Sequence, residues 1–329
     1  MRKALLTLVM LGSLSATAVA ADLKASGSFG YRFDSIEVAA APKSEKDRMK
    51  AELVLDAKVN DKIKAVVGFS TGTFNSRWND MGEGASLKDV GLHLAYVEYA
   101  ATDALKVKLG KMHQPWATSS SLFFDKDVKP EGIAVAFDGP GPLFVNASSV
   151  KIVEGGTTAD SRVQSLQVGL HKKLGGAHVK GAVAMHKHDL NHVVAGGPAE
   201  FTLQQVFGEV GTDVAGKPVT AFVDYMKNDD AKTNDKALAY GVKFGNAKKV
   251  GDFEASIFKQ KVEANAQYGL WHDSDFAGGQ GNHEGYGLVA GYVIADGWKL
   301  NGKYFDVDRN ISVRKADYQR LQLDLNYMF

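Results

Sequence analysis

The feature that most constrains this chain is strict alternation of apolar and polar residues over stretches longer than an ordinary globular strand. From residue 23 to 33, Leu23, Ala25, Gly27, Phe29, Tyr31 and Phe33 occupy one parity, and Lys24, Ser26, Ser28, Gly30 and Arg32 the other. In the next segment Met49, Ala51, Leu53, Leu55, Ala57 and Val59 oppose Arg48, Lys50, Glu52, Asp56 and Lys58. After the turn Asn60-Asp61-Lys62, Ile63, Ala65, Val67 and Phe69 alternate with Lys64, Val66, Gly68 and Ser70. Successive side chains of a strand point to opposite faces, so each segment is a two-sided strand. Lengths of about 10 residues exceed the usual 5–6 of globular sheets and match the 9–11 that cross a bilayer.

Further strands are predicted near 87–100, 104–113, 131–138, 142–153, 162–174, 176–187, 201–211, 217–228, 236–246, 251–264, 283–295, 298–308 and 317–329, for a total of about 16. Phase is ambiguous in 87–100, 201–211 and the second half of 251–264, where apolar residues fall on both parities. The connections alternate in length. Short turns fall at 60–62, 100–104, 138–142, 174–176, 211–217, 246–250 and 295–298. Longer polar segments fall at 34–47, 74–87, 113–130, 153–161, 187–201, 228–235, 265–282 and 308–317. Short turns at one end and long loops at the other mark a transmembrane antiparallel β-barrel, here with periplasmic turns and extracellular loops. A soluble β-sandwich or lipocalin-like barrel is the alternative. The long charged face and aromatics near strand ends (Phe33, Phe69, Tyr99, Phe137, Tyr225, Tyr292, Trp298, Tyr304, Tyr327 and Phe329) count against it, since such aromatics suit interfacial girdles.

Export is expected from the N-terminus. Arg2 and Lys3 precede an apolar run from Ala4 to Leu14, and Ala18-Val19-Ala20 supplies small residues for cleavage after Ala20. Residues 1–20 are read as a signal peptide and 21–329 as one barrel domain. No later segment reads as a transmembrane helix, and only helices and closed barrels satisfy the backbone in lipid. Cysteine is absent, which excludes thiol chemistry. The net charge is +1, or −1 once Arg2 and Lys3 are removed, and argues against a nucleic-acid partner.

At the C-terminus Leu321, Leu323, Leu325, Tyr327 and Phe329 face one way, and Arg320, Gln322, Asp324, Asn326 and Met328 the other. This strand resembles the terminal strand of bacterial outer-membrane proteins, whose aromatic end is read by the barrel-assembly machinery; Tyr327 and Phe329 are the candidate signal. The wider chain resembles the bacterial porins, in particular the family labelled "putative porin". The resemblance rests on Leu94-Ala95-Tyr96-Val97-Glu98-Tyr99 leading into Leu109-Gly110-Lys111-Met112, on Pro130-Glu131-Gly132, on Asp273-Ser274-Asp275-Phe276 in a glycine-rich loop, and on Leu321-Gln322-Leu323-Asp324-Leu325. It implies a 16-stranded, trimeric pore in the bacterial outer membrane, whose partners are membrane lipid, lipopolysaccharide and small hydrophilic solutes.

About 16 strands leave an aqueous channel. By similarity to porins, loop 113–130 would fold inward and narrow it. The expected constriction sets Asp125, Lys126, Asp127 and Glu131 on the loop side against Arg32, Arg48, Lys50 and Lys64 on the wall. On the clearly phased strands the inward face carries thirteen basic residues, among them Lys180, Lys243, Lys299 and Arg320, against five acidic ones, Glu52, Asp56, Asp224, Glu254 and Asp324. That predicts modest anion preference.

Other chemistry is weakly supported. His186, His188 and His192 beside Asp189 lack a structural zinc pattern. Asp273, Asp275 and Glu284 do not match an EF-hand loop. Gly278-Gly279-Gln280-Gly281 opens no helix, and no nucleophile elbow occurs. The expectation is a non-enzyme without cofactor or metal. The rivals are an outer-membrane hydrolase and a non-conducting structural or receptor barrel.

Overall fold

A computed structural model describes residues 22–329 except 74–75, 158, 192–199 and 311–314. The proposed signal peptide lies outside the described residues, as does His192. The strands are β1 (Asp22–Val38), β2 (Ser44–Lys58), β3 (Ile63–Thr71), β4 (Asn79–Asp80), β5 (Val90–Ala100), β6 (Leu105–Lys111), β7 (Glu131–Asp138), β8 (Leu143–Val153), β9 (Ser161–Leu174), β10 (Ala177–Asp189), β11 (Glu200–Val214), β12 (Lys217–Asn228), β13 (Lys236–Gly245), β14 (Phe253–Val262), β15 (His283–Ala295), β16 (Trp298–Arg309) and β17 (Ala316–Met328). β4 is a two-residue strand on a loop. The other sixteen form one antiparallel sheet in which each pairs with its sequence neighbours and β1 closes on β17. The only helical segments among the described residues are single 3-10 turns at Gly269–Trp271 and Ala277–Gly279.

Alternation translates directly into two faces. Odd residues of β1 such as Phe29 (49% exposed) look outward, while Arg32 (3%) looks inward. The outward face carries exposed Leu, Val, Ile or aromatic side chains on all sixteen barrel strands, a surface that suits lipid and no aqueous medium. Eight of the aromatics expected at strand ends, from Phe69 to Phe329, are exposed on that face.

The ambiguous phases have physical causes. In β5 the register shifts opposite Gly68 and Phe69, so both His93 and Leu94 are buried; a bulge re-aims side chains and breaks the period. In β11 the inward parity carries Phe201, Leu203 and Phe207, all buried, because protein rather than water lies against it. The first long connection is a correction. β1 and β2 pair as far as Ile36 with Ser44, so the expected loop 34–47 is mostly strand and the link spans only 39–43.

The seam is drawn tight. Phe329 and Gly27 exchange backbone hydrogen bonds of 3.0 and 3.1 Å, and Trp298, Tyr327 and Phe329 form a chain of rings at the short-turn end.

Candidate pore constriction

Loop 112–130, between β6 and β7, lies inside the barrel. Its base is shaped by Gly110, which faces Gly132 across the ladder with φ of 122°; a Cβ there would sit 2.1 Å from the Ala95 carbonyl oxygen. The loop then crosses to the far wall. Trp116 Nε1 donates to Ser148 Oγ at 3.1 Å on β8. Ala117 exchanges two hydrogen bonds with Gln167 on β9, at 2.8 and 2.9 Å. Ser120 Oγ donates to Asp224 at 2.7 Å on β12, and Lys243 on β13 donates to the Ser119 carbonyl at 2.8 Å. Trp116, Leu122, Phe123, Phe124 and Val128 bury against Val150, Val163, Leu203, Met226, Ala237 and Val262 of the wall. Burying large apolar side chains gains roughly 1.5–3 kcal/mol each, which is why a loop carrying five such residues does not stay in water.

A second loop, 263–282 between β14 and β15, also enters the lumen and meets the first. The Asp125 N–H donates to the Trp271 carbonyl (2.9 Å), the Ser274 N–H donates to Asp125 Oδ2 (2.9 Å), and Gln267 Nε2 donates to the Phe123 carbonyl. The Phe124 and Trp271 rings lie 4.4 Å apart. Part of a third loop, 72–89, joins them through β4, which pairs Asp80 with Arg48 on β2. Arg77 on this loop bridges Glu52 (2.6 Å) and Asp127 (2.7 Å).

What the loops leave is a cavity of about 650 Å³, lined by strand residues of β1, β2 and β12–β17 and by segments of all three loops. Its walls hold seven basic side chains (Arg32, Lys50, Arg77, Lys126, Lys243, Lys299 and Lys303) and six acidic ones (Glu52, Asp125, Asp127, Asp273, Asp275 and Asp324). Arg32 is bound in a fork to Asp324 at 2.6 and 2.8 Å, and its guanidinium lies 4.2 Å from the Trp78 ring centroid. Lys50 sits 5.1 Å from the same centroid. Burial, reinforced by the neighbouring Asp273, pushes the Asp125 carboxyl up to about 7, against the pull of the Asp127 and Ser274 amides. Burial and the charge of Asp275 likewise raise Asp273. Burial works against charge on Asp275 too, but Lys303, Arg320 and Arg32 hold that carboxyl well below the usual range.

Of the eight residues expected at the constriction, five line this cavity: Asp125, Lys126, Asp127, Arg32 and Lys50. Three do not. Glu131 shares the outward parity of the exposed Ile133 and Phe137, opposite the buried Ala134, and pairs with Lys111 at 2.6 Å. Lys64 faces Lys58 beside the short turn and pairs with Asp56, well away from the loops. Arg48 points inward but is engaged with Asp80 (2.7 Å) and Asp34 (3.2 Å). The sequence reasoning counted Lys299 and Lys303 among the inward basic residues without placing them at the constriction, and it missed Arg77, Trp78, Asp273 and Asp275 as pore linings. Loops supply four of the six acidic linings, so the basic excess counted on strands alone largely disappears.

The candidate metal groups are dispersed or occupied. His186 stacks on Phe123 with centroids 3.8 Å apart and bonds Ser165 (2.7 Å) and Gln205 (3.2 Å); His188 packs against Trp271. Glu284 pairs outward with Lys259 at 2.6 Å, away from Asp273 and Asp275. Among the described residues no three metal-ligating side chains converge. The Ser165–His186 pair is fully enclosed, so it offers no nucleophile to a solute.

Comparison with known proteins points one way. The family described as "Putative porin" matches residues 37–149. No curated protein matches the sequence. Among solved structures the chain is similar to OprB of Pseudomonas putida (12% identity, TM-score 0.65, covering 93% of this chain and 94% of that one). It is similar to OmpF of Salmonella typhi in complex with daunomycin (12%, 0.60, 93% and 97%). It is also similar to OmpT, an outer membrane protein of Vibrio cholerae, in its trimer form (12%, 0.55, 94% and 100%). Identities this low establish a shared fold: a closed barrel of sixteen antiparallel strands built as in the outer-membrane porins.

Proposed function

We propose, from the porin fold and its match to the putative porin family, that this chain is an outer-membrane channel for passive diffusion of small hydrophilic solutes or ions. The observation that carries the reading is the charged cavity of about 650 Å³ enclosed between the inward loops and the β1–β2 and β16–β17 wall. A packed soluble core would not line such a space with thirteen charged side chains. Residues 1–20 direct export, 21–329 form the barrel, the short turns face the periplasm, and Tyr327 and Phe329 present the assembly signal. Lipid and lipopolysaccharide surround it, and three copies assemble.

Across the constriction Asp125, Lys126 and Asp127 oppose Arg32 and Lys50, so a solute passes through a transverse field that orients its dipole. A modest anion preference follows from the uneven state of the charges. Lys126 has no ion pair among the described residues, whereas Asp125 and Asp273 are shifted toward their neutral forms. Single-channel conductance of purified protein in planar bilayers tests the class. Discrete ohmic steps are expected, and a silent bilayer overturns the reading. Reversal potentials in a salt gradient test the preference, and clear cation selectivity refutes it. A hydrolase would show esterase activity lost on changing one lumenal serine.

A further inference from the structure

We propose that loop 263–282 is a second pore-narrowing wall, latched in place by Asp275, so that pore width is set by two fastened loops rather than by loop 112–130 alone. The inference rests on the channel reading above.

Three attachments hold this loop. The first is a root of buried rings: Phe276 packs between Phe258, Phe305 and His283, with centroids 5.7, 5.6 and 5.2 Å away. The second is the clasp on loop 112–130 through Asp125, Phe123 and Phe124. The third is the latch. The Asp275 carboxylate accepts from Lys303 (2.6 Å) and Gln322 (2.9 Å) and lies 3.5 Å from both Arg32 and Arg320, while the Ser274 carbonyl accepts from Arg320 at 2.8 Å. One carboxylate has about four acceptor positions, and here donors from β1, β16 and β17 converge on it. The loop begins at the end of β14, so the latch carries it across the mouths of β15 and β16 to the barrel seam.

The donors are not equivalent. Arg32 keeps Asp324, and Arg320 keeps Asp34 at 2.7 and 2.8 Å. Lys303 has no other ion pair among the described residues. Removing the Asp275 charge therefore leaves three cations facing one another beneath the loop, with Lys303 uncompensated. Their repulsion favours lifting residues 273–276, which line the cavity, away from the wall. The clasp transmits the change, because Ser274 releases Asp125 as it moves.

The test uses the full-length protein in planar bilayers and in liposomes swollen by neutral sugars of graded size. Asp275→Asn is expected to raise unit conductance about twofold and to admit larger sugars, since conductance follows the narrowest section. Phe276→Ala, which frees the root without touching a charge, is expected to change both in the same direction. Glu284→Gln, outside the lumen, is expected to change neither. Wild-type conductance and size limit in both Asp275→Asn and Phe276→Ala, with a conducting wild type, would overturn the inference and leave the channel reading standing. A silent wild type would overturn the channel reading itself. If both variants fail to regain heat-modifiable mobility, the loop is an assembly element and the inference is refuted.

Discussion

The inner faces of β8–β14 and of β1–β2 with β16–β17 belong to the same barrel and obey the same alternation, yet they are made of different material. Along the first arc Val150, Val163, Leu203, Met226, Ala237 and Val262 are buried under Trp116, Phe123, Phe124 and Trp271. Along the second, Arg32, Asp34, Arg320 and Asp324 are buried as hydrogen-bonded ion pairs, and Lys50 and Lys303 edge the cavity. Alternation says which residues point inward. It does not say whether water or protein waits there. Where loops dock through apolar rings, the barrel acquires a core like that of a globular domain; where they dock through charges, the wall stays an electrolyte surface.

The contrast can be broken at its apolar side with the largest effect. Phe123→Ala and Trp271→Ala each remove a ring from the loop–loop contact, and each is expected to cost about 3–5 kcal/mol. Heat-modifiable mobility should fall to lower temperature, and unit conductance should rise as the loops unseat. Unchanged stability would mean that this arc is not a core. At the charged side, Arg320→Ala leaves the buried Asp34 only its longer contact to Arg48 at 3.2 Å, for a cost of about 3 kcal/mol. Arg320→Lys should recover only part of it, since an ammonium cannot reproduce the two-pronged contact; full recovery would contradict the fork geometry. A smaller effect is set by pH at the junction of the two arcs. Asp125, raised from its ordinary 3.8 to about 7, favours the folded loops below about pH 4 and loses that contribution as pH rises through about 7. Over the same range it gains negative charge, so reversal potentials should move toward cations with a midpoint near 7, and Asp125→Asn should abolish the shift. The smallest effect sharpens the boundary. Glu131→Gln and Lys64→Gln should leave reversal potential unchanged, and a clear shift would return those residues to the constriction.

Most of the barrel was legible because period two survives wherever one side of a strand meets lipid. The boundaries of β7, β12 and β15 match the sequence expectation residue for residue. Legibility failed where a third partner entered. Phe201 and Leu203 blurred the parity of β11 because the inward loops cover them. Glu131, at the start of strand 131–138, was expected on the loop side of the constriction, although its spacing from Ile133 gives it the outward parity. Asp273 and Asp275 do not by themselves mark the second loop as inward. The informative residues were Tyr268, Trp271 and Phe276, aromatics too large to leave in a polar loop, and they bury as loop 112–130 buries its own. Trp78 is another such aromatic and is also buried, whereas nothing in the sequence pairs Arg77 with Glu52 and Asp127.

The seam has a consequence for how the molecule comes into being. β1 and β17 pair across a sequence separation of nearly the whole chain, down to the contact between Gly27 and Phe329. A Cβ on Gly27 would come within 2.4 Å of the Glu52 carbonyl oxygen and 2.6 Å of the Phe329 ring. Contacts of such long range form late and slowly. Until they form, the sheet has two open edges able to pair with other chains. Closure thus trades two open edges for one seam, and at its end the Phe329 ring packs where Gly27 has no side chain to obstruct it.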